Sequence, residues 1–130
     1  MNNMIRLKDK LINKNSIYYI LEKIYSVDTI DTRFYELIFV TKTNNYIVSY
    51  NSHEEMLKEI RKLKQVGFTQ IEEQYINLDK VVCIDSFSED TDDYLLVMFE
   101  DDLERTFNLK TFGYSPEEIM DDIMLGSKYL

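Results

Sequence analysis

The chain has 130 residues, 24 of them acidic and 15 basic, with a formal charge of -9, one His, one Cys, three Gly and no Trp. That length suits one domain around a single core, and 45% hydrophobic with 30% charged residues excludes both a disordered tail and a membrane protein. A single cysteine excludes a disulfide framework and any cysteine-based zinc site, and one histidine leaves few parts for catalysis, so neither an enzyme nor a cofactor or metal is expected.

Residues 1–10 carry charge too early for a secretory leader, and no apolar run approaches the roughly 18 residues of a membrane span, so a cytoplasmic protein without membrane association is expected. Alanine is absent while Ile, Asn, Lys and Tyr are heavily used. These are residues of AT-rich codons, which points to a low-GC bacterium or to a phage or mobile element living in one.

In chain order, Met4, Leu7 and Leu11 recur at helical spacing, with Ile5 and Ile12 on the adjoining stripe, and predict an N-terminal helix over 3–14. The Ile- and Tyr-rich stretch 17–26 is ambiguous in period, and its composition favours a strand. The run 34–43, the pair Asn44-Asn45 and the run 46–50 predict a hairpin whose turn uses two residues tolerant of positive φ. Ser52 as cap, Glu55 three residues on and Gly67 as the stop predict a helix over 53–66, with Met56, Leu57, Ile60 and Leu63 inward. Glu54–Lys58 and Glu59–Lys62 are expected as pairs on its solvated face.

A nearly continuous apolar run over 76–86 and a second over 94–99 predict strands, the latter central and covered on both faces. Glu100-Asp101-Asp102 turns the chain into a half-buried strand carrying Leu103, Phe107 and Leu109. Ser115-Pro116-Glu117-Glu118 starts a helix over 116–125, with Ile119, Met120, Ile123 and Met124 as its buried stripe and Gly126 as its end. The whole reads as a single α+β domain over 1–130, with antiparallel β-meanders and three helices.

Two reactive residues have ordinary structural explanations. His53 follows the Ser52 cap, where the helix macrodipole disfavours a proton, and is expected at the surface. Cys83 lies between Val82 and Ile84 and is expected as a buried thiol. The acidic stretch 88–93 lacks the oxygen ligands and glycine of a calcium loop, since Tyr94 and Leu95 fall where those belong.

Charge is distributed unevenly. Residues 1–65 hold 11 basic and 8 acidic side chains, net +3, and residues 66–130 hold 4 and 16, net -12. The C-terminal acids form three clusters: Glu89, Asp90, Asp92 and Asp93; Glu100, Asp101, Asp102 and Glu104; and Glu117, Glu118, Asp121 and Asp122. Such self-repulsion costs stability unless an ion or a partner relieves it. These twelve residues are the candidate binding surface for a basic host or nucleic-acid-handling protein, in the manner of a phage or mobile-element inhibitor with nucleic-acid mimicry as one form. The ten Tyr are good interface anchors, and a homodimer stays open.

The order of strands, hairpin and helix over 17–109, with Gly67-Phe68-Thr69-Gln70-Ile71 followed by Tyr75-Ile76-Asn77-Leu78-Asp79-Lys80-Val81, resembles a LytTR-type DNA-binding domain. That resemblance implies a transcriptional regulator as the alternative function, with direct nucleic-acid binding. At the family's basic DNA-contacting positions in this segment the chain carries Glu72 and Glu73, which repel phosphate. The N-terminal Arg6, Lys8, Lys10 and Lys14 are then the basic residues left to bind DNA.

Overall fold

A computed structural model describes residues 3–27, 32–109 and 115–125. The fold is mixed α+β with antiparallel sheets and, among the described residues, two α-helices. Packing groups the chain into two compact units, Met1–Asp79 and Lys80–Leu130.

The first unit opens with a two-stranded hairpin, β1 (Met4–Arg6) and β2 (Leu11–Asn13), in place of the expected N-terminal helix. The Leu7 N–H donates to the Lys10 carbonyl at 2.8 Å, and Ile5 pairs with Ile12. The burial period here is two: Ile5, Leu7 and Ile12 are buried, whereas Met4 and Leu11, inner positions of the supposed helix, are 42% and 58% exposed. Over so short a stretch a few apolar residues satisfy both periods, and packing against the core decides between them.

Strands β3 (Ile17–Ser26), β4 (Arg33–Thr41), β5 (Asn45–Tyr50), β6 (Phe68–Ile71) and β7 (Gln74–Asn77) form one antiparallel sheet of order β5-β4-β3-β7-β6. The β4–β5 hairpin forms where expected, but neither asparagine takes positive φ. The Thr41 N–H and hydroxyl both donate to the Asn44 carbonyl, at 3.0 and 2.6 Å, and the same hydroxyl accepts from the Asn44 N–H at 3.1 Å. A side-chain clasp thus does the work expected of left-handed backbone.

Helix α1 (His53–Gln65) packs on this sheet. Ser52 Oγ accepts from the Glu55 N–H at 3.2 Å, while the Glu55 carboxylate accepts from the Asn51 N–H at 3.3 Å. Gly67, at φ +106°, ends the helix as expected, in a backbone region that other residues occupy only under strain. The inward residues are Met56, Glu59, Ile60 and Leu63, and Leu57 is exposed instead. Met56, Ile60 and Leu63 join Ile20, Leu37, Phe39, Val48, Phe68 and Tyr75 in the core, which the β1–β2 hairpin closes with Ile5, Leu7 and Ile12.

Glu59 is therefore not on the solvated face. Its carboxylate is buried, accepts from the Tyr50 hydroxyl at 3.3 Å, and pairs with Lys62 at 3.2 Å. Lys62 in turn donates to the Arg6 carbonyl at 3.2 Å, so the ion pair also ties the N-terminal hairpin down. A similar pairing occurs on the sheet, where the Tyr75 hydroxyl donates to Glu22 at 2.9 Å.

The apolar run over 76–86 is two strands, not one. Strand β7 ends at Asn77, a 3-10 turn covers Leu78–Lys80, and β8 (Val81–Glu89) begins the second unit. Asn77 is the reason for the break. Its buried amide donates to the Lys14 carbonyl at 3.0 Å and the Ile17 carbonyl at 2.8 Å, and its Oδ1 accepts from the Asp79 N–H at 3.2 Å.

In the second unit β8, β9 (Asp92–Phe99) and β10 (Glu104–Asn108) form a meander with β9 central, and α2 (Pro116–Leu125) packs against β9. Leu95, Val97 and Phe99 are buried along one face of β9, but Tyr94, Leu96 and Met98 on the other are only half-buried, so the strand is not covered on both sides. Helix α2 starts at the expected Ser115 cap, and the structure adds a capping box: the Glu118 N–H donates to Ser115 Oγ at 3.2 Å, and Glu118 Oε1 accepts from the Ser115 N–H at 3.3 Å. Ile119 is buried and Met120 and Ile123 are half-buried, but Met124 is 85% exposed and leaves the stripe. Gly126 lies outside the described residues. Cys83 is exposed, against expectation, because β8 is an edge strand and Cys83 pairs with Met98 on its open face. His53 is exposed at the start of α1, stacked on Tyr35 at 5.6 Å between ring centroids.

Two predictions follow from these contacts. Asn77→Ala takes a donor from the buried Ile17 carbonyl and an acceptor from the Asp79 N–H, while the Lys14 carbonyl keeps the Ile17 N–H. It is expected to cost about 1–3 kcal/mol in urea unfolding, and a loss below about 0.5 kcal/mol would show that the amide does not pin these strands. The Tyr50 and Tyr75 hydroxyls are held well above the ordinary phenol value, mainly by burial and then by Glu59 and Glu22 respectively. Raised folded-state pKa values give stability that is complete below about pH 10 and lost as pH rises beyond it, because the unfolded chain ionises first. Thermal melts from neutral pH to about 12 are expected to show this alkaline fall, and Tyr50→Phe with Tyr75→Phe to flatten it.

Candidate interaction surface

Charge follows the boundary between the two units more sharply than it follows the midpoint of the chain. The first unit holds 11 basic and 11 acidic residues and is neutral, whereas the second holds 4 and 13 and carries the entire -9. All twelve candidate residues lie in this second unit.

The first cluster caps the β8–β9 hairpin. Glu89 pairs with Asp92 and Ser88 with Asp93, leaving Asp90 and Thr91 as the two-residue loop. Asp90 sits at φ 59°. The Ser88 hydroxyl donates to Asp93 at 2.7 Å and the Asn108 amide to Asp92 at 3.4 Å, but among the described residues no cation pairs with any of these four acids.

The second cluster turns β9 into β10. Asp101 and Asp102 both sit at φ 62°, the left-handed region that favours Gly or Asn, and Glu100 pairs with Lys80 at 3.9 Å. From Asp93 to Glu100 the strand advances seven residues, about 23 Å at 3.3 Å per residue. The two hairpin clusters therefore stand at opposite ends of β9 with apolar residues between them. The third cluster lies on α2, where Glu117, Glu118 and Asp121 are exposed and Asp122 is half-buried, and Glu118 also holds the cap.

The register exposes a feature that composition alone does not locate. Phe87 lies opposite Tyr94, and their rings stack at 4.9 Å and 8° on the open face of the sheet. Packing around the Tyr94 ring raises its hydroxyl pKa, and Asp92, Glu89 and Asp90 push it further in the same direction, so the acids of the hairpin tip converge on this pair. Asp85, outside the three clusters, lies on the same face through its pairing with Leu96. A loop centred on Asp90 and Thr91 places 87 opposite 94 by simple counting, so the ring pair was findable once that loop was recognised.

Among the described residues no three His, Cys, Asp or Glu side chains converge as a metal site, and no helix is long and apolar enough to cross a membrane. Compared with models of protein families, with curated proteins and with solved structures, the chain matches none.

The β9–β10 turn yields a stability prediction. Asp102→Gly relieves left-handed backbone and removes one of four crowded acids, and is expected to raise stability by about 0.5–1 kcal/mol in urea unfolding. An unchanged or lowered stability would mean that neither strain nor repulsion burdens this turn.

Proposed function

We propose that the chain is a non-enzymatic interaction protein whose second unit binds a basic protein, in the manner of an inhibitor of a nucleic-acid-handling partner encoded by a phage or mobile element. The observation that carries this reading is the partition of charge: a neutral unit is joined to one that carries the whole -9. A need for solubility would be served by net negative charge on both, whereas the 11 acids of the first unit are balanced by 11 basic residues. The acids Asp90, Asp101 and Asp102 occupy left-handed turn positions where Gly costs less, so negative charge at the two hairpin turns is kept at some expense of stability, as it also is at Glu72 of the first unit.

The separation of the hairpin clusters favours a partner with two basic patches about 23 Å apart over one that reads a continuous row of charge. Phosphates recur about every 3.4 Å along each strand of a duplex. Mimicry of that row is the narrower form of the reading, and it requires the α2 acids to join those of the hairpins.

Titration with poly-lysine tests the charge reading. Binding is expected to weaken steeply as salt rises from about 50 to 200 mM, and to fall at least about tenfold when Glu89→Gln, Asp90→Asn, Glu117→Gln and Asp121→Asn are combined. Equal affinity in that variant would reduce these acids to solvation. Clear binding of duplex DNA by the chain at physiological salt would instead replace this function with that of a LytTR-like regulator.

A further inference from the structure

The open face of the second unit's sheet has a composition that selects a particular kind of cation. Strand pairing places Cys83, Asp85, Phe87 and Glu89 of β8 beside Asp92, Tyr94, Leu96 and Met98 of β9, with Glu104 and Thr106 of β10 alongside. Among the described residues, every charged side chain that strand pairing places on this face is acidic. Its centre is apolar and accessible: Phe87 is 40% exposed, and Tyr94, Leu96 and Met98 are half-buried.

The first unit shows what such a pair does when a cation is supplied. There Tyr25 lies opposite Phe34 across β3 and β4, and the rings stack at 5.2 Å and 20°. Lys23, two residues along the same face, places its ammonium 5.0 Å from the centroid of the Tyr25 ring. The Phe87–Tyr94 pair repeats this cross-strand stack, but among the described residues no cation lies over it. The position two residues before Tyr94, which Lys23 holds relative to Tyr25, is Asp92.

We infer that this sheet face docks a protein partner through an arginine side chain, whose guanidinium lies over the Phe87–Tyr94 rings and pairs with the surrounding carboxylates. This rests on the reading of the second unit as the binding unit and specifies the chemistry that it recognises. Charge complementarity calls for a cation, and the rings decide which one. A guanidinium is planar and weakly hydrated, so it stacks on an aromatic face while its edge donates to carboxylates such as Glu89 and Asp92; an ammonium is a strongly hydrated point charge. Leu96 and Met98 then offer apolar surface to the arginine's methylene stem.

Hexa-arginine and hexa-lysine carry equal charge and separate the two claims. Titrated against the full chain at about 50 mM salt, hexa-arginine is expected to bind about twofold to fivefold more tightly. That ratio is expected to fall to about one in the Phe87→Leu/Tyr94→Leu variant, whose folding is checked by circular dichroism. With the unsubstituted chain, the arginine δ-methylene protons are expected to move upfield in NMR spectra as they enter the ring current, which needs no variant. Equal binding of the two peptides, a preference that survives in the variant, or unshifted δ-methylene protons would each overturn the inference while leaving charge-driven binding intact. Failure of both peptides to bind would overturn it together with the proposed function.

Discussion

The buried amide of Asn77 is the constraint on which the first unit's architecture depends. An apolar residue at this position would fit the surrounding strand pattern better by composition, yet an amide there satisfies two carbonyls of the N-terminal segment and one N–H of the departing chain. Those groups lie where β3 begins and β7 ends, so one side chain joins segments about sixty residues apart in sequence. Buried polar groups without partners cost far more than satisfied ones gain. The bonds therefore select a single register at this junction. Beside them, Lys14 reaches Asp79 at 2.9 Å and closes the same corner from the surface side.

Beyond that junction the polar chemistry changes character. In the first unit polar side chains find partners within the fold: Tyr50 with Glu59, Glu59 with Lys62, Lys62 with a backbone carbonyl, Tyr75 with Glu22. These bonds hold the hairpin, the helix and the sheet together, and the unit is neutral. In the second unit the acids crowd at turns and along a helix with few cations to meet them. The contrast reaches the aromatic residues, since one stacked pair carries its own lysine and the other faces solvent among carboxylates. A chain that completes such a motif internally at one place and leaves it open at another has a surface suited to a cation from elsewhere.

Much of the local structure was legible in the sequence because it depends on near neighbours. The caps Ser52 and Ser115, the Gly67 stop and the β4–β5 hairpin use contacts within a few residues, and all are found where the residue types place them. The failures share a different cause. Whether Met4, Leu7 and Leu11 belong to a helix or a strand depends on what Ile5 and Ile12 pack against. Glu59 reads as solvated by its spacing from Lys62 until Tyr50 is brought beneath it, and Cys83 reads as core until β8 is placed at the edge of its sheet.

The candidate site divides in the same way. Its acids were visible as runs, because like charges adjacent in sequence need no fold to be noticed. The sequence by itself thus determined the two capped helices, the turns and the excess of negative charge towards the C-terminus, all consequences of short-range chemistry. Only the tertiary structure decided that this charge belongs wholly to one unit, that β9 holds two of its clusters apart, and that Phe87 and Tyr94 stack on an open face. Each of these follows from strand pairing and burial, which join residues distant in the chain and leave no mark on its local pattern.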